Sequence, residues 1–542
     1  MRLVEASDGR VGARALTFGA QVERLLAERD VDGLLGLLGQ RPGELIRRVG
    51  HLATWLGDDL PGQQRLVDAV AAAAARSAAR VAFAAAAAVH DRDVLVCRPA
   101  ASSAEQSRER AARVVALAAA GPETGRGPRD ELPTDPGLAA ARFAAGLPSE
   151  SPLDRPWPRR VYFPSGAVAR TWSVADGRPL LPAGVPDRLR EAILAALTAR
   201  AAGPDGARFD VAVLDAELAH VPIPAGTQRA SGASAAYPRG ALVGIPLAAA
   251  LTPADDRAAP PDDDTLRLFL HWTDTATSRV DLDLSAMVFD DAWRPLAFCD
   301  YTALRSPLGL VHSGDLTSAP PPLGATEFLD LDLTRLGAVG VRYVAPMVLS
   351  YNDVPFDLLT DAFAGLALPD DGPLFDPARV LVRFDLRGDA RRYLPFVVDL
   401  QWRELRWLDL HLGSTGYAHN IRSSGPRLAE VLADLDWAYG SGVRASCATL
   451  GEVIARARAA RVLVLDRDEG WVDPAGQPVE APQLAGARAL VFAVTDPGAL
   501  TAAAGASPAQ LHPESVVVSA FGAPGATHSV DDLLAQLDLA QR

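Results

Sequence analysis

Apolar residues recur every three or four positions from Ala15 to about Ala120, then at alternate positions from Thr265 to about Asn420. These two periods predict a helical region followed later by sheet with one face turned to a core. In the first region, Ala15–Leu38 reads as a helix. Pro42-Gly43-Glu44 opens another with proline in its first turn, and Gln64–His90 forms a third long helix. Leu45, Val49, Leu52 and Leu56 make the apolar stripe of the middle one. Short connections between such helices predict a small bundle or helical array over 1–120.

Residues 121–264 read as a linker and a small mixed α/β region. Gly121 to Pro158 is rich in Pro, Gly and charge. Strands are predicted at Arg160–Phe163, Ala169–Ser173 and Phe209–Leu214, with a helix at Asp187–Ala201. From 265 to 420 many short strands follow one another between turn residues, the pattern of a β-sandwich or barrel. They are Leu266–Trp272, Val280–Phe289, Pro295–Tyr301, Thr326–Leu333, Gly340–Ser350, Val380–Asp385, Leu394–Gln401 and Leu405–Leu412. Over 421–542 helices at Arg427–Ala438, Thr449–Ala459 and Val530–Leu539 alternate with strands at Val462–Asp466, Ala489–Val494 and Val516–Phe521. That alternation predicts a small C-terminal α/β domain. The fold class is therefore multidomain α+β, and roughly three to four domains suit a chain this long.

Composition narrows the chemistry. The formal net charge of −14 opposes a nucleic-acid role, which needs a basic face. All 53 basic residues are Arg, so a P-loop lysine, a kinase strand lysine and a Schiff-base lysine are excluded. Cys97, Cys299 and Cys447 lie far apart and form no C-x-x-C pair, which excludes a zinc ribbon and a disulfide framework and suits a reducing cytoplasm. The opening Met1-Arg2-Leu3-Val4-Glu5 lacks the apolar core of a signal peptide. The Ala-rich run Ala69–Val89 is interrupted by Arg76 and Arg80 at helical spacing. It reads as a packed helix that buries Val81, Phe83 and Val89, not as a membrane span, so no direct membrane insertion is expected.

Three acidic clusters fall inside the strand-rich region. Val280-Asp281-Leu282-Asp283-Leu284-Ser285 alternates acid or hydroxyl with apolar residues. His312-Ser313-Gly314-Asp315 is a turn ending in an acid, and Glu327-Phe328-Leu329-Asp330-Leu331-Asp332 alternates again. Taken singly, Asp281 and Asp283 would be the wet face of a one-sided strand, and Ser313-Gly314-Asp315 an ordinary turn. Together they offer oxygens from separate loops, as a hard cation such as calcium requires. The expected carboxylate ligands are Asp281, Asp283, Asp315 and Glu327, with main-chain carbonyls near Ser313 and Gly314. Asp330 and Asp332 are read as strand carboxylates, and His312 as a structural residue bonded to a carboxylate or to backbone. His271, His411 and His419 have no zinc-site spacing, and no G-x-S-x-G elbow occurs.

The ordered set Asp281-Leu282-Asp283-x-Ser285, His312-Ser313-Gly314-Asp315 and Glu327, followed by Tyr351-Asn352-Asp353, Phe356 and Ala362-Phe363, resembles the TerD family. The resemblance spans Thr265 to Asn420. It implies a TerD-like β-sandwich that binds calcium and belongs to tellurite-resistance and stress-response systems. A wider resemblance links the chain to large multidomain actinobacterial and myxobacterial proteins of uncharacterised function. It rests on Arg41-Pro42-Gly43-Glu44-Leu45 and Gln228-Arg229-Ala230-Ser231. Departures are equally specific. Leu316-Thr317 follows Asp315 where the family continues Asn-Arg, Ala325-Thr326 replaces an acidic pair, and Arg279 replaces an Asp. Family members hold two calcium ions, whereas this chain keeps ligands for one and loses part of the second. The function expected is a cytoplasmic, non-catalytic calcium-binding scaffold with protein partners in a stress-response complex. The alternative is an enzyme, a hydrolase or a metal-reducing activity, housed outside the sandwich.

Overall fold

A computed structural model describes residues 16–87, 147, 151–152, 159–162, 172–175, 181–203, 208–224, 230–231, 236–245, 265–369, 380–388, 391–412, 420–440, 445–466, 469–521 and 525–539. The chain divides into two compact units. One comprises Met1–Val94, Pro179–Gly206 and Leu534–Arg542, the other Leu95–Arg178 and Ala207–Leu533. The sequence expectations for residues 1–15, for Val89, Cys97 and His419 and for most of the 121–158 linker lie outside the described residues.

The first unit is helical. The single helix expected over Ala15–Leu38 is two, α1 (Phe18–Glu28) and α2 (Val31–Gly39). Arg29 turns into the left-handed region at φ 53°, and the Asp30 side chain then accepts the Gly33 amide at 2.9 Å, starting a new helix. The helix expected from Pro42 is also two, α3 (Pro42–Arg47) and α4 (Val49–Leu56), parted at Arg48, but the four residues of its expected stripe, Leu45 in α3 and Val49, Leu52 and Leu56 in α4, are all buried. The Ala-rich run also breaks. The helix α5 (Leu60–Arg76) ends where Ser77 becomes extended and donates its hydroxyl to the Ala73 carbonyl at 2.7 Å. Helix resumes over 79–87 with Phe83 fully buried and Val81 half-buried. Among the described residues no helix is long and apolar enough to cross a membrane.

Arg200, near the end of α6 (Val185–Ala202), holds this break together. Its buried guanidinium donates to the carbonyls of Ala74 (3.0 Å), Ser77 (2.7 Å) and Leu537 (2.7 Å) and pairs with Asp538 at 3.2 Å. Those carbonyls belong to helix ends or to the turn beside one, where the regular intrahelical ladder stops; Ala74 also accepts the Ser77 amide at 3.4 Å. Arg200→Ala is expected to destabilise the helical unit by about 3 kcal/mol, because several buried carbonyls lose the guanidinium bond at once. Urea unfolding followed by circular dichroism measures this, and an unchanged midpoint would show that water replaces the guanidinium.

The second unit combines a sandwich with an α/β sheet. Its strands are β1 (Val211–Asp215), β2 (Leu242–Gly244), β3 (Thr265–Trp272), β4 (Leu282–Phe289), β5 (Pro295–Cys299), β6 (Leu310–His312), β7 (Ala325–Asp332) and β8 (Tyr343–Ser350), then β9 (Ala362–Ala367), β10 (Val380–Asp385), β11 (Arg392–Asp399) and β12 (Glu404–His411). One antiparallel sheet runs β6-β7-β3-β9-β10, extended beyond β6 by Arg305–Ser306. The facing sheet runs β2-β12-β11-β8-β4-β5. Alternate residues meet between the sheets: Leu266, Leu268, Leu270 and Trp272 from β3 face Leu282, Leu284, Ala286 and Val288 from β4.

Two boundaries differ from the sequence expectation. The helix α7 (Ile421–Gly440) does not join the C-terminal sheet; Ile421, Leu428, Leu432 and Leu435 pack on Met287, Phe289, Trp293 and Tyr343, covering the outer face of the second sandwich sheet. In addition, β1 lies in the middle of the C-terminal sheet. It pairs in parallel with β13 (Val462–Asp466) on one side and β14 (Ala489–Ala493) on the other. The strand expected at 209–214 therefore belongs to the C-terminal α/β domain, with the sandwich inserted between it and its partners.

Candidate metal centre

The second acid of each alternating pair faces where its parity sends it. In β4, Leu282, Leu284 and Ala286 point into the sandwich core, so Asp283 and Ser285, with Asp281 just before the strand, share the opposite face. Gly314 takes φ 136°, a conformation that side chains other than hydrogen resist, and the chain turns there to bring Asp315 over this face. One carboxylate oxygen each from Asp281, Asp283 and Asp315 then lies within 4.8 Å of the others. Asp281 and Asp283 are buried and Asp315 is exposed. The group is thus rooted in the protein and open on the Asp315 side.

Electrostatics mark the same spot. Burial, then the charges of Glu327, Asp281, Asp315 and Asp300, pushes the Asp283 carboxyl up to about 8. Burial pushes Asp281 to about 6; Arg279, 3.5 Å away, opposes this, while Asp315, Glu327 and Asp274 reinforce it. The Asp283 Oδ2 atom is buried without a hydrogen-bond partner. A buried, unpartnered carboxylate oxygen among other carboxylates is unfavourable by itself and fits a hard cation, which takes oxygen ligands at short range.

Glu327 sits beside this triad with its oxygens turned to the main chain. It is on the inward parity of β7, fully buried; Oε2 accepts the Leu284 amide at 2.8 Å and Oε1 the Leu316 amide at 3.0 Å. His312, also buried, accepts the Gly314 amide on Nδ1 at 3.1 Å, which leaves the proton on Nε2 to donate to the Leu284 carbonyl at 3.0 Å. The two side chains reach from one sheet to both polar groups of a single residue in the other. They also hold the turn that carries Asp315. Burial works against charge on His312, but Glu327 at 3.5 Å and the Leu284 carbonyl lift its pKa above the ordinary imidazole value.

The remaining acids have local duties. Asp330 receives a two-pronged bond from Arg267 at 2.7 and 2.9 Å. Asp332 caps the short helix Leu333–Ala338 by accepting the Arg335 amide at 2.8 Å. The Tyr351-Asn352 pair, without an assigned role in the sequence, clasps the main chain around Asp281. Tyr351 donates its amide to the Asp281 carbonyl at 2.9 Å, and Asn352 donates to the Arg279 carbonyl at 2.6 Å. Two further acids escaped the sequence reading. Asp274 gathers the Val280 and Ala319 amides at 2.8 and 3.1 Å. Asp300 is fully buried just past β5, where an Asp ending an apolar strand was the available signal.

No family model and no curated protein matches this chain. Among solved structures it is similar to a homologue of the telluride resistance protein TerD from Streptomyces coelicolor, at 17% identity and a TM-score of 0.24, covering 29% of this chain and 96% of that one. It is also similar to a protein of unknown function, SAV2460, at 17% identity and a TM-score of 0.22, covering 27% of this chain and 91% of that one. Likeness at this level lends this chain no ligand and no activity, so the metal centre stands on its own geometry.

Proposed function

We propose that the TerD-like sandwich binds a divalent cation, calcium by its all-oxygen donors, and that the chain serves as a non-catalytic scaffold of a tellurite-resistance or stress-response system. The convergence of Asp281, Asp283 and Asp315 around the unpartnered Asp283 Oδ2 supports this reading. Bringing those charges together without a cation costs Coulomb energy that a bound ion removes. The helical unit and the α/β sheet would supply surfaces for protein partners in a cytoplasmic complex, with no nucleic acid and no membrane insertion.

Calcium titration of single variants by calorimetry tests the assignment. Asp315→Ala is expected to abolish measurable binding while the fold persists, since this carboxylate is exposed and on the open side. Asp332→Ala is expected to bind calcium like the parent and to lose about 1 kcal/mol of stability, the value of its helix cap. Equal calcium affinities in the two variants would overturn the proposed ligand set.

A further inference from the structure

Large apolar side chains left exposed on the second unit gather in one place. Among its described residues they are Leu304, Leu316, Leu323, Tyr351 and Leu358, at 38%, 42%, 85%, 44% and 65% exposure. Strand direction brings all five to the same end of the sandwich. Trp272, the last residue of β3, pairs with Ala325 and Ala362, the first residues of β7 and β9. Leu282, the first residue of β4, pairs with Ser350, the last of β8, and β5 runs antiparallel to β4. The Trp272 indole donates to the Val280 carbonyl at 2.9 Å, joining the two sheets at this end. The loops 300–304, 313–324 and 351–361 therefore emerge together, and the Tyr301 and Tyr351 rings meet edge to face at 5.7 Å between the first and the third. Asp315, on the open side of the triad, stands on the second loop next to Leu316. Exposed apolar residues scattered singly are ordinary; a group of them at one end, around a site open to solvent, marks an interaction surface.

Charge selects the occupant. Exposed Asp315, Asp353, Asp357 and Asp361 lie at this end beside exposed Arg279, Arg305, Arg387 and Arg391. The buried Asp281 and Asp283 add to the acids, so without a cation this end repels anionic partners. A divalent cation in the triad offsets that excess. It also keeps room on the Asp315 side for oxygens from outside, since three carboxylates supply fewer than the six to eight a hard cation takes. Leucines on the tips of separate loops, Leu323 foremost on Pro320-Pro321-Pro322-Leu323-Gly324, project outward and form no groove for a peptide. Projecting apolar tips, guanidinium groups among them and a cation short of oxygens match the layered chemistry of a lipid surface, with phosphates above and acyl chains beneath.

We propose that this end of the sandwich is a cation-dependent docking surface for anionic lipid, its leucines entering the headgroup layer while the cation and the arginines take phosphate oxygens. This rests on the cation-binding reading given above. It is attachment to a surface and calls for no span across the bilayer.

Flotation of the full chain with vesicles of phosphatidylcholine and phosphatidylserine, beside calorimetric titration with calcium alone, tests it. The parent protein is expected to float with the mixed vesicles in calcium, and to stay behind in chelator or with phosphatidylcholine alone. Leu316→Ser combined with Leu323→Ser is expected to weaken vesicle binding roughly tenfold or more. Its calcium affinity and its melting temperature in chelator should match the parent, because both side chains are exposed already. Leu323→Ser alone, at the most exposed of the five, decides the matter should the double variant not fold. A parent that binds calcium in the calorimeter yet does not float overturns the docking and leaves the cation reading in place. A parent that binds no calcium removes the cation reading and the docking with it. Flotation unchanged in the leucine variants puts the lipid contact elsewhere and overturns the proposal. Calcium-driven self-association through the same leucines, in place of flotation, overturns it too and assigns this end to a second copy of the chain.

Discussion

Saturating calcium is expected to raise the unfolding temperature of the sandwich by roughly 5–10 °C at pH 8, and by much less at pH 5. A ligand present at a hundred times its dissociation constant stabilises the folded state by about 2.7 kcal/mol. For a domain of this size each kcal/mol moves the midpoint by about 2–4 °C. The pH dependence follows from the triad. In the cation-free protein Asp281 titrates near 6 and Asp283 near 8, both above the ordinary carboxylate value of 3.8. Between about pH 4 and 8 the folded state therefore holds more protons than the unfolded chain, and stability in chelator falls as the pH rises through that window. Protons and calcium compete for the same oxygens, so the calcium effect grows in the same direction. Scanning calorimetry at several pH values, with calcium and with chelator, should show the two curves diverging toward pH 8. Coincident curves at pH 8 would exclude a calcium site here.

Glu327→Ala is expected to be the most destabilising single change at the centre, at about 3–5 kcal/mol. The side chain is fully buried and accepts amides from two separate segments, Leu284 in β4 and Leu316 in the turn after Asp315. Its removal strands both donors and takes away the partner of His312. Asp315→Ala, in contrast, relieves like charges and should leave the calcium-free protein at least as stable as before. Urea unfolding of the two variants in chelator separates an anchor from a ligand. Equal midpoints would show that Glu327 belongs with the triad in function as well as in position.

The gathering of the acids was legible in the chain. Alternation placed Asp281, Asp283 and Ser285 on one face of a strand, and the His-Ser-Gly-Asp turn supplied Asp315, because strand parity and a glycine turn are local properties of sequence. The buried stripe of Leu45, Val49, Leu52 and Leu56 was legible for the same reason. Helix breaks were less so. Ala69–Val89 reads as continuous helix, and Ser77 ends it in a place where Arg200, far away in sequence, collects the freed carbonyls.

What the tertiary structure decided are the roles that depend on distance rather than on pattern. Parity alone turns Glu327 inward, but only the approach of the two sheets brings it to the Leu284 and Leu316 amides. Asp300 looks like the polar end of an apolar strand until the register with β4 sets it beside Ser285 and Asp283. The strand Val211–Asp215 looks like part of a linker region because its hydrogen-bonding partners, Val462–Asp466 and Ala489–Ala493, follow the whole inserted sandwich. Periodicity records which side of an element is buried. It carries no record of which distant element covers that side, and that choice is made by packing and by the pairing of main-chain groups across the fold.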